Sequence, residues 1–262
     1  MSSIVAYQFL LCIIISMSYV AFIYYRVPHE LQGKDRNDIG VIRFRMIRVS
    51  ILCVILYIGI PFVYGRDMKE WTKDLGIIPG FTRSSDGRDL VNIGKSLVLI
   101  LVLYIGPIVK YYLSTTLTDQ IEDLKYSFFS IYGFRDHIFA PISEEFIYRS
   151  IILNIVPSTM INYTPFLFGI AHFHHGYQLY YRQNYELRVV IANVGFQLLY
   201  TSLFGYLMNH IWYEYFNVWS NIIIHLVCNL IGFPEMEVEK YRWGYYGLLV
   251  VGVIGFVKML RM

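Results

Sequence analysis

Ala140-Pro141-Ile142-Ser143-Glu144-Glu145-Phe146-Ile147-Tyr148-Arg149 places three charged residues in one short stretch, and the run from Ser150 to Tyr181 that follows it carries none. Read as part of a membrane-spanning helix, this stretch is costly. An ionisable side chain near the centre of such a helix is disfavoured by on the order of 2.5–3.5 kcal/mol even on the lenient insertion scale, so two adjacent glutamates there point to a function. Helix geometry separates their roles. Glu145 and Arg149 are four apart on one face and can pair, whereas Glu144 is rotated by about 100° and left the freer carboxylate. The plain alternative is a helix end at the interface bearing a solvated ion pair.

The composition around this stretch makes the membrane reading the stronger one. Of 262 residues, 56% are hydrophobic, 18% aromatic and only 16% charged, with a mean hydropathy of +0.47. An ordinary soluble domain is about 45–50% apolar and about 25% charged. Disorder is excluded by the same figures, and a net charge of +3, scattered along the chain, does not suggest nucleic-acid binding. Cys12, Cys53 and Cys228 are odd in number and sit within apolar runs, so they read as small buried hydrophobes rather than disulfides or metal ligands. The first apolar run exceeds a signal-peptide core of roughly 7–15 residues and reads as a retained anchor.

Charge positions partition the chain, because a helix needs about 20 apolar residues to cross a bilayer. The spans expected are Ile4 to Tyr25, Val49 to Gly65, Ser96 to Val109 with its continuation, about His137 to Val156, about Thr164 to His174, Val189 to Tyr213, Tyr215 to Pro234 and Trp243 to Val257. The breaks at Pro157 and Pro165 follow from the missing amide and the ring clash of proline. The expected fold is therefore all-α: a multi-pass integral membrane protein with about eight transmembrane helices enclosing a polar cavity. Residues 1–262 form a single membrane domain, with three spans and charged loops in 1–130 and the candidate catalytic helices in 131–262. The charged segments Arg26 to Arg45, Arg66 to Lys95 and Lys110 to Arg135 read as solvated connectors.

Two further constellations join the glutamates. Phe168-Gly169-Ile170-Ala171-His172-Phe173-His174-His175 sets Phe168 and His172 on one helical face, and His172 and His175 on one face. Three histidines in four residues read first as a metal site, but the sequence has no His-Glu-x-x-His and no cysteine nearby. His174 and His175 also read as an interfacial pair without chemistry. His225-Leu226-Val227-Cys228-Asn229 presents an imidazole and an amide four residues apart, either interhelical polar glue or a donor pair. Together a carboxylate, an imidazole and a donor pair on three helices are the parts of a hydrolytic site. No Gly-x-Ser-x-Gly elbow, Gly-x-Gly-Asp motif or phosphate-binding glycine loop is present.

In this order, Glu-Glu-x-x-x-Arg (Glu144, Glu145, Arg149), Phe-x-x-x-His (Phe168, His172) and His-x-x-x-Asn (His225, Asn229) resemble the motifs of the CAAX protease and bacteriocin-processing family of glutamic intramembrane proteases. Ala140-Pro141 before the glutamates and Gly232-Phe233-Pro234 after the asparagine look like its eukaryotic branch. The resemblance covers roughly Phe139 to Pro234. It implies an eight-helix peptide hydrolase of the endoplasmic reticulum membrane that removes the aaX tripeptide from prenylated CAAX proteins. Its partners would be farnesylated or geranylgeranylated proteins such as Ras-like small GTPases, together with membrane lipid, and no nucleic acid. On this resemblance Glu144 and His172 activate water, while His225 and Asn229 form the oxyanion hole. Glu145 and Arg149 serve orientation and charge balance beside Phe168, and His175 has a supporting role. No cofactor is expected. The alternatives are a non-catalytic membrane scaffold on the same fold and a zinc enzyme using Glu144, His172 and His225 as ligands.

Overall fold

The computed structural model describes residues 3–84 and 87–261, and its named elements are all helical. Three helices and a bent pair carry the first half of the chain. These are α1 (Ser3–Tyr24), α2 (Ile39–Tyr64), the short α3 (Met68–Asp74), and α4 (Asp89–Leu103) with α5 (Ile105–Ser114). An amphipathic helix, α6 (Leu117–Phe129), follows; Thr116 and Asp119 close a capping box at its start, and their hydrogen bonds hold the Asp119 carboxyl below its ordinary range. Residues 131–155 then form one continuous helix, α7. The remaining helices are α8 (Thr164–Ala171), α9 (His174–Tyr181), α10 (Leu187–Tyr215), α11 (Val218–Ile231) and α12 (Arg242–Leu260).

The expected count of eight spans is not reached among the described residues. Four helices, α1, α2, α10 and α12, are long and apolar enough to cross a membrane, and α4 with α5 makes a fifth only if a 68° bend is allowed within one span. The stretches expected as the fifth and seventh spans are too short: α8 has 8 residues and α11 has 14, against about 20 needed. The proline breaks fall where expected. Val156 turns extended before Pro157, as a residue preceding proline does, and Pro165 occupies the first turn of α8.

Two connectors expected to be solvated are built into the fold. α2 begins ten residues before Val49, because the Asp38 carboxylate accepts from the amides of Gly40 and Val41 and starts the helix there; Arg43, Arg45 and Arg48 thus lie on it. Arginine stems lie along apolar surface while their heads reach polar surroundings, so these charges mark no helix boundary. In the second connector Trp71 is fully buried, with its indole N–H donating to the Tyr57 carbonyl. The carbonyls of Asp74 and Leu75 accept from Asn154 and Ser150 of α7. This segment braces the helix that carries the glutamates.

The core divides into two apolar clusters. One joins α1, α2, α3, α7 and α8 through Cys12, Leu52, Trp71, Ile147 and Phe168; the other joins α4, α10 and α11 through Ile100, Met208 and Ile224. All three cysteines are free, Cys12 buried and the other two half-buried. Between the clusters lies a cavity of about 720 Å³, walled by members of both.

Candidate active site

The two glutamates stand on a short α-helical stretch, Ala140–Glu145, between two π-helical stretches of α7, Phe134–Phe139 and Phe146–Ile151. A π stretch adds a residue to a turn and re-aims the side chains around it, a device common at functional sites. Here it leaves Glu145 and Arg149 facing one another. Both are buried, and the Arg149 Nε lies 3.2 Å from Glu145 Oε2, with Nη1 3.3 Å from Oε1. Removing either partner would leave an uncompensated buried charge, the costly case for an ion pair.

Glu145 has a second partner. His225 Nδ1 lies 2.7 Å from Glu145 Oε1, and since an ionised carboxylate oxygen only accepts, the proton of that bond sits on Nδ1. The imidazole is thereby aimed: its Nε2 faces the cavity at 3.8 Å from Glu144 Oε2. Glu144 itself is only partly covered and lines the cavity, while Glu145 and Arg149 stand behind that wall. The pairing expected from helix geometry, Glu145 with Arg149 and not Glu144, is the one observed.

His172 is placed by the end of its own helix. At the C-terminus of α8 its backbone amide turns to the Gly169 carbonyl, three residues back, leaving the Phe168 carbonyl without an intrahelical amide. The His172 ring takes up that carbonyl through Nδ1 at 2.8 Å, which fixes the tautomer and leaves Nε2 as an acceptor. His174 repeats the device on the Ala171 carbonyl at 2.7 Å, and its ring packs 4.1 Å from that of His175. His175 also lines the cavity, its ring 5.9 Å from that of His172.

Phe168 ties these groups together. Its buried ring lies 4.7 Å beneath the Arg149 guanidinium and meets the rings of His172 at 4.8 Å and Tyr148 at 4.9 Å edge-on. Asn229 is the most open member; its Nδ2 donates to the Asp136 carbonyl at 2.9 Å, which leaves one N–H of the amide for another partner. Glu144, Phe168, His172, His175, His225 and Asn229 all line the one cavity. Sequence reasoning missed Tyr148, Tyr19 and Asp136. Tyr19 reaches in from α1 and shares a hydrogen bond with Ser143, but a lone tyrosine in an apolar run gives no signal. Asp136 acts through its backbone, which no side-chain motif reveals. Among the described residues, no three His, Cys, Asp or Glu side chains are grouped to hold a metal ion.

A polar cavity carrying carboxylate, imidazole and amide inside a bundle of apolar helices defines the class as a membrane-embedded enzyme. The sequence model of the type II CAAX prenyl endopeptidase Rce1-like family matches residues 127–231, the segment that holds all three motifs. CAAX prenyl protease 2 of Saccharomyces cerevisiae is 30% identical, the alignment covering 97% of this chain and 94% of the relative. The probable CAAX prenyl protease 2 of Schizosaccharomyces pombe is 26% identical over 91% of this chain and 87% of its own. That of Homo sapiens is 26% identical over 86% and 70%. The chain belongs to the CAAX prenyl protease 2 family. No solved structure gives a significant match.

Proposed function

We propose that this chain is an endopeptidase of the endoplasmic reticulum membrane that cleaves after the prenylated cysteine of CAAX proteins and releases the aaX tripeptide. The observation that carries the reading is the convergence of Glu144, His172, His225 and Asn229, from three helices, on one cavity. Glu144 takes a proton from water as the oxygen attacks the scissile carbonyl, while His172 Nε2 accepts a hydrogen bond from the water's other hydrogen, which stays on the attacking oxygen. The carbonyl π electrons move onto oxygen. That oxyanion is met by the spare Asn229 N–H and by His225 Nε2, which donates when the ring carries both protons. Glu144 then returns its proton to the amine nitrogen as the C–N bond breaks. Donors fixed in a low-dielectric site are each worth about 10²–10³ in rate, and a positioned base about 10²–10⁴. No metal takes part.

The test is tripeptide release from a farnesylated CAAX peptide by the full chain in bilayers. Glu144→Gln is expected to lower turnover by about 10²–10⁴-fold and Asn229→Ala by about 10²–10³-fold, with helicity unchanged. Retained full activity of Glu144→Gln overturns the mechanism. Strong chelators are expected to leave activity unaltered; loss on chelation with recovery on added zinc would replace the metal-free scheme.

A further inference from the structure

One face of α2 lines the cavity with Ile42, Arg45, Met46 and Val49, so a single arginine interrupts an otherwise apolar stripe. Arg45 is half-buried, its guanidinium 5.1 Å from the Tyr24 ring centre, and among the described residues no carboxylate lies within 4 Å of it. Arg36 borders the same space, also with no described carboxylate at that distance. The third arginine there, Arg135, is neutralised by a bidentate pair with Asp136 at 2.6 and 2.7 Å. Arg36 and Arg45, with Ile23 and Gln178, also border a second cavity, of about 700 Å³, whose lining adds Arg26, Lys34, Arg182 and the Asp35 carboxylate, five cations against one anion. Five cations against one carboxylate leave this wall net positive, and guanidiniums that border one space repel one another, so a further anion between Arg36 and Arg45 is favoured.

Resting on the function proposed above, the substrate brings one fixed anion: the α-carboxylate of its last residue, three residues beyond the scissile bond. An extended chain covers about 10 Å in three residues. We propose that Arg45, with Arg36 beside it, receives this terminal carboxylate, so that the distance from Arg45 to Glu144 sets the length of the released peptide. A guanidinium suits the task because its fork matches a carboxylate with two parallel charged hydrogen bonds.

The experiment compares one farnesylated CAAX peptide as its free acid and as its C-terminal amide, on the full chain in bilayers of neutral lipid. For the unsubstituted chain kcat/KM is expected to fall by about tenfold or more on amidation, mostly through KM, as loss of a hydrogen bond to a charged group implies. R45Q should bring the acid-to-amide ratio near one, and R45K should leave it in between. Equal cleavage of acid and amide by the unsubstituted chain overturns the proposal even if R45Q fails to fold. So does an R45Q variant that slows both peptides by the same factor, which would point to a structural or lipid-headgroup role. Cleavage of neither peptide by the unsubstituted chain would instead bring down the protease reading itself, and this inference with it.

Discussion

Phe168 touches Arg149, Tyr148 and His172 at once, so its ring is the packing centre on which charge and chemistry are both seated. Phe168→Ala is expected to destabilise the fold by about 3–5 kcal/mol, measured by thermal unfolding in detergent. Phe168→Leu should recover most of that stability but little of the turnover, because an aliphatic side chain offers no ring face to the guanidinium. The buried pair behind it yields a sharper contrast. Glu145→Gln leaves the Arg149 charge uncompensated and should cost about 3–5 kcal/mol, whereas the double variant Glu145→Gln with Arg149→Met should be far more stable than that single one. Peptidase activity should not return in the double variant, since the carboxylate that aims His225 is gone in both. The candidate catalytic residues Glu144, His172, His225 and Asn229, and the supporting Glu145, were legible in the sequence because each is a polar group that interrupts an apolar run. Arg45 was not legible, because an arginine close to a charged loop looks like part of the loop; only the Asp38 cap shows that it lies on the helix.

Elements hold these residues in register, and α8 is the one whose position matters most for its size. Its eight residues lie against α10 through two close approaches. A Cβ on Gly169 would sit 2.8 Å from Leu198 Cδ1, and one on Gly205 would sit 3.0 Å from Pro165 Cα. Gly169→Leu is therefore expected to lift α8 from α10, costing about 1–3 kcal/mol. Because His172 ends that helix, kcat should fall more than the stability loss explains; turnover and unfolding measured on one preparation separate the two. The proline punctuation of this region was readable from sequence, as were the long apolar helices. The shorter elements were not: hydropathy cannot tell a buried fourteen-residue helix such as α11 from a spanning one, nor does any periodicity announce the π stretches that flank the glutamates. Both are set by what packs against them.

At the scale of the molecule, apolar helices around a polar cavity suit a substrate that is half lipid. Burying a prenyl chain contributes about 0.8 kcal/mol per methylene, so shortening the alkyl group on the peptide should raise KM by up to about fourfold per methylene removed, with kcat little changed. A KM indifferent to chain length in a series of S-alkyl peptides would count against lipid-side binding. The two adjoining cavities with their common arginine wall have one more consequence. On the proposed reaction, cleavage yields two products of opposite solubility, a short anionic peptide and a prenylated chain that stays with the bilayer. On that reading the net-positive second cavity, which shares Arg36 and Arg45 with the first, favours the anionic product apart from the prenylated one, and reversal of the hydrolysis is opposed by their parting into different phases.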